Sequence, residues 1–113
     1  MKPFEPQNLT KSLHEALILT SLGEGPRHGY QLALDIEERS GGVFQLKHGT
    51  LYPILHKLEK EGILAASWDR SGVGRRRKRY AITEPGIEYA KQQRKAWKDF
   101  TGHLLGLLEG DDA

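Results

Sequence analysis

His48-Gly49-Thr50-Leu51-Tyr52-Pro53-Ile54-Leu55-His56-Lys57-Leu58-Glu59-Lys60-Glu61-Gly62 reads as one amphipathic helix. Leu51, Ile54, Leu55 and Leu58 fall at i, i+3, i+4 and i+7, a full apolar stripe. Pro53 has no N–H and crowds the carbonyl four residues back, so it belongs in the first turns. Gly62 ends the run. Away from the stripe lie Tyr52, His56, Lys57 and Lys60.

Downstream, the pattern changes from helical to alternating. Ile63–Trp68 and Lys78–Ile82 are strand candidates, joined by a loop that contains Gly72 and Gly74. The basic run Arg75-Arg76-Arg77-Lys78-Arg79 passes from this loop into the second strand. Lys78, Tyr80 and Ile82 then share one face, and Arg77, Arg79 and Ala81 the other. Such a run is usually a solvated face; its placement on a paired hairpin raises contact with a polyanion above that.

Upstream, Asn8 or Thr10 caps a helix that runs to about Leu22. Its apolar stripe, with Leu13, Ala16 and Leu17, is wide enough to be buried on more than one side. Gly23-Glu24-Gly25-Pro26 stops it, and a second helix spans about His28 to Arg39. Val43–Leu46 is a connector with two or three buried side chains. Residues 1–8, with two prolines and no periodicity, read as a mobile or loosely docked arm.

After the hairpin, Thr83-Glu84-Pro85-Gly86 opens a long helix that reaches Leu108. Ile87, Ala90, Arg94, Trp97, Thr101, Leu104 and Leu108 alternate in steps of three and four, a heptad-like seam with polar interruptions. Residues 109–113 form an acidic tail.

The chain has 113 residues, a net charge of +2 and no cysteine. One small domain is expected, without disulfides, thiolate metal sites or a thiol nucleophile. The 37% hydrophobic content leaves room for apolar surface covered by a second copy. Residues 1–46 carry net −2, residues 47–80 net +6 and residues 81–113 net −2. No run is long enough to span a membrane and no signal peptide is visible, so a soluble cytoplasmic protein is expected. The five histidines are scattered, without a metal-ligand spacing or a partnered nucleophile; neither a metal, a cofactor nor an enzyme is expected.

The element order is helix, helix, helix, strand, loop, strand, long helix. That is a mainly α chain with a small β-hairpin: a winged helix-turn-helix (residues 9–83) followed by a C-terminal dimerisation helix (residues 84–108). The third helix has the dimensions of the major groove, and arginines on the wing suit phosphates or a narrow minor groove.

His28-Gly29-Tyr30-Gln31-Leu32, Gly49 through Leu64, and Gly74 through Thr83 resemble the corresponding segments of PadR-family transcriptional regulators, in the short subgroup with one C-terminal helix. The resemblance covers about residues 10–100. It implies a dimeric winged-helix repressor, often responsive to phenolic or drug-like compounds. Family members often carry a small residue such as Ser before the Gly-Thr-Leu-Tyr-Pro string. Here Leu46-Lys47-His48 stands there, so operator sequence does not transfer.

The expected DNA contacts are Tyr30, Lys47, His48, Gly49, Thr50, Tyr52, Lys57, Arg75, Arg76, Arg77 and Lys78. Thr50 is equally a candidate helix cap, and both tyrosines are also candidates for packing. Leu13, Leu17, Ile87, Ala90, Arg94, Trp97, Thr101, Leu104 and Leu108 are expected in the dimer interface. Dimer packing is the first reading of Trp97. The resemblance adds a second, in which Trp97, with Phe100 and Ala90, lines a site for a flat aromatic effector. Partners are therefore a double-stranded operator, a second copy and a small aromatic effector. Two other classes stay open: an effector-independent DNA-binding protein, and a winged-helix module for an acidic protein partner.

Overall fold

The computed structural model describes residues 1–69 and 77–110. Its elements are α1 (Leu9–Leu22), β1 (Arg27–His28), α2 (Gly29–Arg39), α3 (His48–Lys60), β2 (Leu64–Asp69), β3 (Arg77–Ile82) and α4 (Glu84–Glu109). A single 3₁₀ turn, Pro6–Asn8, precedes α1. The fold is the expected winged helix, with one addition. β1 pairs with β3 through Arg27↔Tyr80 and His28↔Arg79, so the expected two-stranded hairpin is a three-stranded antiparallel sheet of order β1-β3-β2. Two residues are too few to leave an alternating pattern.

Local chemistry sets the boundaries. The Asn8 side chain accepts from the Lys11 N–H at 3.2 Å and starts α1. Gly62, at φ 80°, ends α3: its N–H donates to Glu59 O (3.1 Å), and the Ile63 N–H reaches back to Leu58 O (2.9 Å). This reciprocal pair needs a left-handed residue, and it closes with both Leu58 and Ile63 in the core. The α3 stripe behaves as its spacing predicts: Leu51, Leu55 and Leu58 are buried, and Ile54 packs half-buried against the same cluster. Ile18, Leu22, Leu32, Leu64 and Tyr80 complete the centre of that core. Each such side chain contributes about 1.5–3 kcal/mol when fully buried.

α4 is divided in two by its environment. Its buried residues are Gly86, Tyr89, Ala90 and Gln93, all in the first half, which packs on α1. Beyond them the helix leaves the body, and the molecule extends 62 × 29 × 23 Å. Leu104, Leu105, Leu107 and Leu108 stand exposed on that projection.

The first residues dock against α1 and α4. The Gln93 amide donates to Pro3 O at 2.9 Å, and the Tyr89 hydroxyl lies 3.1 Å from Lys2 O. Glu5 pairs with Lys11 at 2.6 Å and its N–H donates to the Ser12 hydroxyl at 2.9 Å. The Phe4 ring packs on Trp97 and Phe100, with centroids 5.0 and 5.4 Å away. Beneath this strap Glu15 is buried on α1 and accepts from the Tyr89 hydroxyl at 2.7 Å. Burial first, and the bond to Glu15 second, hold the Tyr89 hydroxyl far above its ordinary pKa.

Candidate nucleic-acid interface

Lys47, His48, Gly49 and Thr50 are all exposed where α3 begins. Lys47 is the N-cap residue and its side chain makes no capping hydrogen bond. The Thr50 N–H already donates to Lys47 O at 2.9 Å; the His48 and Gly49 N–H groups, without a partner among the described residues and at the positive end of the helix, suit an anion. Thr50 is the third residue of α3, so it is not the N-cap. A side chain built at Gly49 would meet nothing within 4 Å, which leaves the backbone open to close approach. Lys57 and His56 lie exposed further along the helix.

Tyr52 departs from its expected exposed position. Its ring is half-buried, 4.3 Å from the His48 ring, and lies over Gly29. A Cβ at Gly29 would run into that ring, at 2.6 Å from Cζ and 2.8 Å from Cε1. Gly29 thus lets the start of α2 close against α3, and packing accounts for much of Tyr52.

The wing root sorts its cations. Lys78 faces inward with Tyr80, and its amine reaches Glu59 of α3 at 2.9 Å. That bond holds the Lys78 ammonium above its ordinary pKa. Lys78 is therefore partly neutralised within the protomer, unlike the exposed contact expected of it. Arg79 meets Asp69 at 2.8 Å, and His28 Nε2 lies 3.2 Å from the same carboxylate. Arg77 points outward, exposed, and makes no ion pair among the described residues. Its Nη1 donates to the Tyr30 hydroxyl at 3.1 Å. Arg75 and Arg76 lie outside the described residues.

The effector and dimer candidates separate likewise. Trp97 and Phe100 adjoin each other, centroids 5.9 Å apart, with Phe4 completing the cluster. The Trp97 indole Nε1 is buried without a hydrogen-bond partner among the described residues. Ala90 does not join them on an open seam: it is 5% exposed, consumed by the protomer's own core. Leu13 and Leu17 are half-buried on α1, whereas Ile87, Arg94, Thr101, Leu104 and Leu108 are exposed along α4. Among the described residues no cluster of His, Asp and Glu could hold a metal, and no helix is long and apolar enough to cross a membrane.

Sequence reasoning missed Phe4, the Glu15–Tyr89 pair, and Glu59 and Asp69 as partners of wing cations. A carboxylate at position 15, within the apolar stripe of α1, was the one visible sign of a buried polar contact.

Residues 18–92 match the family described as "Transcriptional regulator PadR-like family". The transcriptional regulator Rv3488 of Mycobacterium tuberculosis is 33% identical over 89 residues, 79% of each protein. A transcriptional regulator from Clostridium thermocellum superposes with a TM-score of 0.78 at 27% identity, over 89% of this chain and 95% of the other. Bacillus subtilis PadR, solved in complex with operator DNA, superposes with a TM-score of 0.63 at 30% identity; the match covers 71% of this chain and 45% of that one.

Proposed function

The chain belongs to the PadR-like family of transcriptional regulators, and from that premise we propose that it is a homodimeric, cytoplasmic repressor that binds operator DNA and answers to a flat aromatic effector. Residues 9–83 are the DNA-binding unit and residues 84–108 the dimerisation helix. The observation that carries the DNA reading is exposed positive charge on two elements of the winged helix: at the start of α3, with Lys47 and, further along, Lys57, and on the wing, with Arg77. α3 supplies the groove-reading element, and the His48 and Gly49 N–H groups with Arg77 supply phosphate contacts. The family relative solved on its operator supports this assignment.

The dimer reading rests on the outer half of α4, where Leu104, Leu107 and Leu108 stand exposed among the described residues. The effector reading rests on Trp97, whose indole N–H lacks an acceptor among the described residues. A ligand there would act only by fitting one separation of the two reading heads better than another. One contact favours a second reading, without effector: Phe4 already packs edge-on against Trp97, so the protomer partly fills the cluster itself.

The test is a gel-shift titration with the duplex upstream of the protein's own gene, against an unrelated duplex of equal length. Tighter binding to the upstream duplex, weakening steeply with salt, is expected. Equal and salt-insensitive binding to both would remove the DNA reading and favour an acidic protein partner.

A further inference from the structure

β3 carries three described cations in a row, and the structure treats them differently. Lys78 is paired with Glu59 and Arg79 with Asp69. Arg77 is held by an uncharged group: its Nη1 donates to Tyr30 Oη at 3.1 Å, and its guanidinium carbon lies 5.4 Å from the Tyr30 ring centroid. A carboxylate in that place would cancel the charge. A phenol orders the guanidinium through one acceptor and a π face and leaves the charge intact.

Tyr30 is itself fixed. It is the second residue of α2, directly after β1, whose His28 is registered with Arg79 of β3. Its ring stacks on the His28 ring, at 6.0 Å and 10°. His28 is held in turn by Gln31 Oε1, which lies 2.8 Å from its backbone N and 3.0 Å from Nδ1. On the far side His28 Nε2 faces the Asp69 carboxylate that Arg79 also binds. The short strand β1 thus ties the start of α2 to the wing root, and Tyr30 inherits a defined position relative to Arg77.

The geometry points to Tyr30 as a positioning residue for the wing, which acts on DNA through Arg77 rather than by its own contact. This rests on the DNA-binding reading above. Free of Tyr30, the arginine keeps its charge but loses its preset direction, and binding then has to order it. Ordering one long side chain at an interface corresponds to an affinity loss of about three- to tenfold.

A double-mutant cycle tests this, with salt titrations on the duplex upstream of the protein's own gene. Arg77→Ala is expected to lower the slope of log affinity against log salt by about 0.9 for each phosphate that the arginine neutralises. Tyr30→Ala should weaken binding about three- to tenfold with the slope retained, and should have no further effect in the Arg77→Ala background. Tyr30→Phe, which keeps the ring, should lose less, and it replaces the alanine variant if thermal melts show that one misfolded. A Tyr30 effect that persists undiminished without Arg77 would overturn the proposal, since Tyr30 would then touch DNA directly. So would an unchanged slope in Arg77→Ala. Absence of salt-dependent binding by the wild type would instead refute the DNA-binding reading on which the proposal stands.

Discussion

Gly86→Ala sets two magnitudes against each other inside one helix. In an ordinary helix interior the change stabilises by about 1 kcal/mol, because alanine is the better helix former. At position 86 the added methyl would land on the Ile63 carbonyl oxygen and lie 2.8 Å from Ile82 Cγ1. That carbonyl is held in place: it accepts from the Thr83 N–H at 3.1 Å, and the Thr83 hydroxyl lies 3.0 Å away. The same hydroxyl caps α4 by accepting from the Gly86 N–H at 3.0 Å. Overpacking against rigid backbone costs about 1–3 kcal/mol, and a disturbed cap about 1 kcal/mol more. The net expectation is a loss of roughly 1–3 kcal/mol, or a melting temperature lower by about 4–12 °C. Gly102→Ala is the internal control, since a methyl there meets nothing within 4 Å. It should raise stability by up to about 1 kcal/mol. Thermal and urea melts followed by circular dichroism, all at one protein concentration because the proposed dimerisation would couple to stability, measure both. A Gly86→Ala protein at least as stable as wild type would refute the claim that close packing, not helix propensity, decides this position.

Three further outcomes are expected. Leu104→Glu with Leu108→Glu should convert the proposed dimer to monomer in sedimentation velocity while leaving the monomer's helical content in place; a dimer unchanged by the pair would move the interface off the outer half of α4. In a Trp68→Phe background, flat aromatic compounds should quench Trp97 fluorescence, more strongly after Phe4→Ala; no quenching across a broad panel would leave Trp97 a packing residue. Asp35 supplies a pH dependence. The Ser21 hydroxyl at 2.6 Å, and then Arg39, hold its carboxyl below the ordinary value. A carboxyl lowered in the folded state contributes stability above its unfolded pKa, about 3.9, and loses it as the pH falls through the folded value. Asp35→Asn should therefore flatten the acid limb of the stability curve below about pH 4, and an unaltered limb would contradict that role.

Much of the fold is legible because its signals are local. The α3 stripe, the glycine that stops α3 and the alternation of β3 each follow from a few neighbouring residues and one periodicity. The site was legible in outline for the same reason. The start of α3 and the basic run announce a polyanion surface as soon as the element order is known. Legibility ended where a residue's role depends on a partner far along the chain. Tyr52 carries no mark in sequence of Gly29, and Lys78 none of Glu59. Ala90 sits on a regular heptad, yet it is buried in the protomer's own core. β1 was invisible because two residues have no period, and Phe4 because nothing local says where an arm lands.

By itself, then, the sequence determined which elements form, in what order, and where positive charge gathers: propensity, capping and spacing act over a turn or a strand. Tertiary structure alone decided which charges remain available. Lys78 and Arg79 are adjacent in sequence to Arg77 and chemically similar, but packing brings Glu59 and Asp69 against them and, among the described residues, a phenol against Arg77. Coulombic pairing depends on separation in space, to which distance along the chain is no guide.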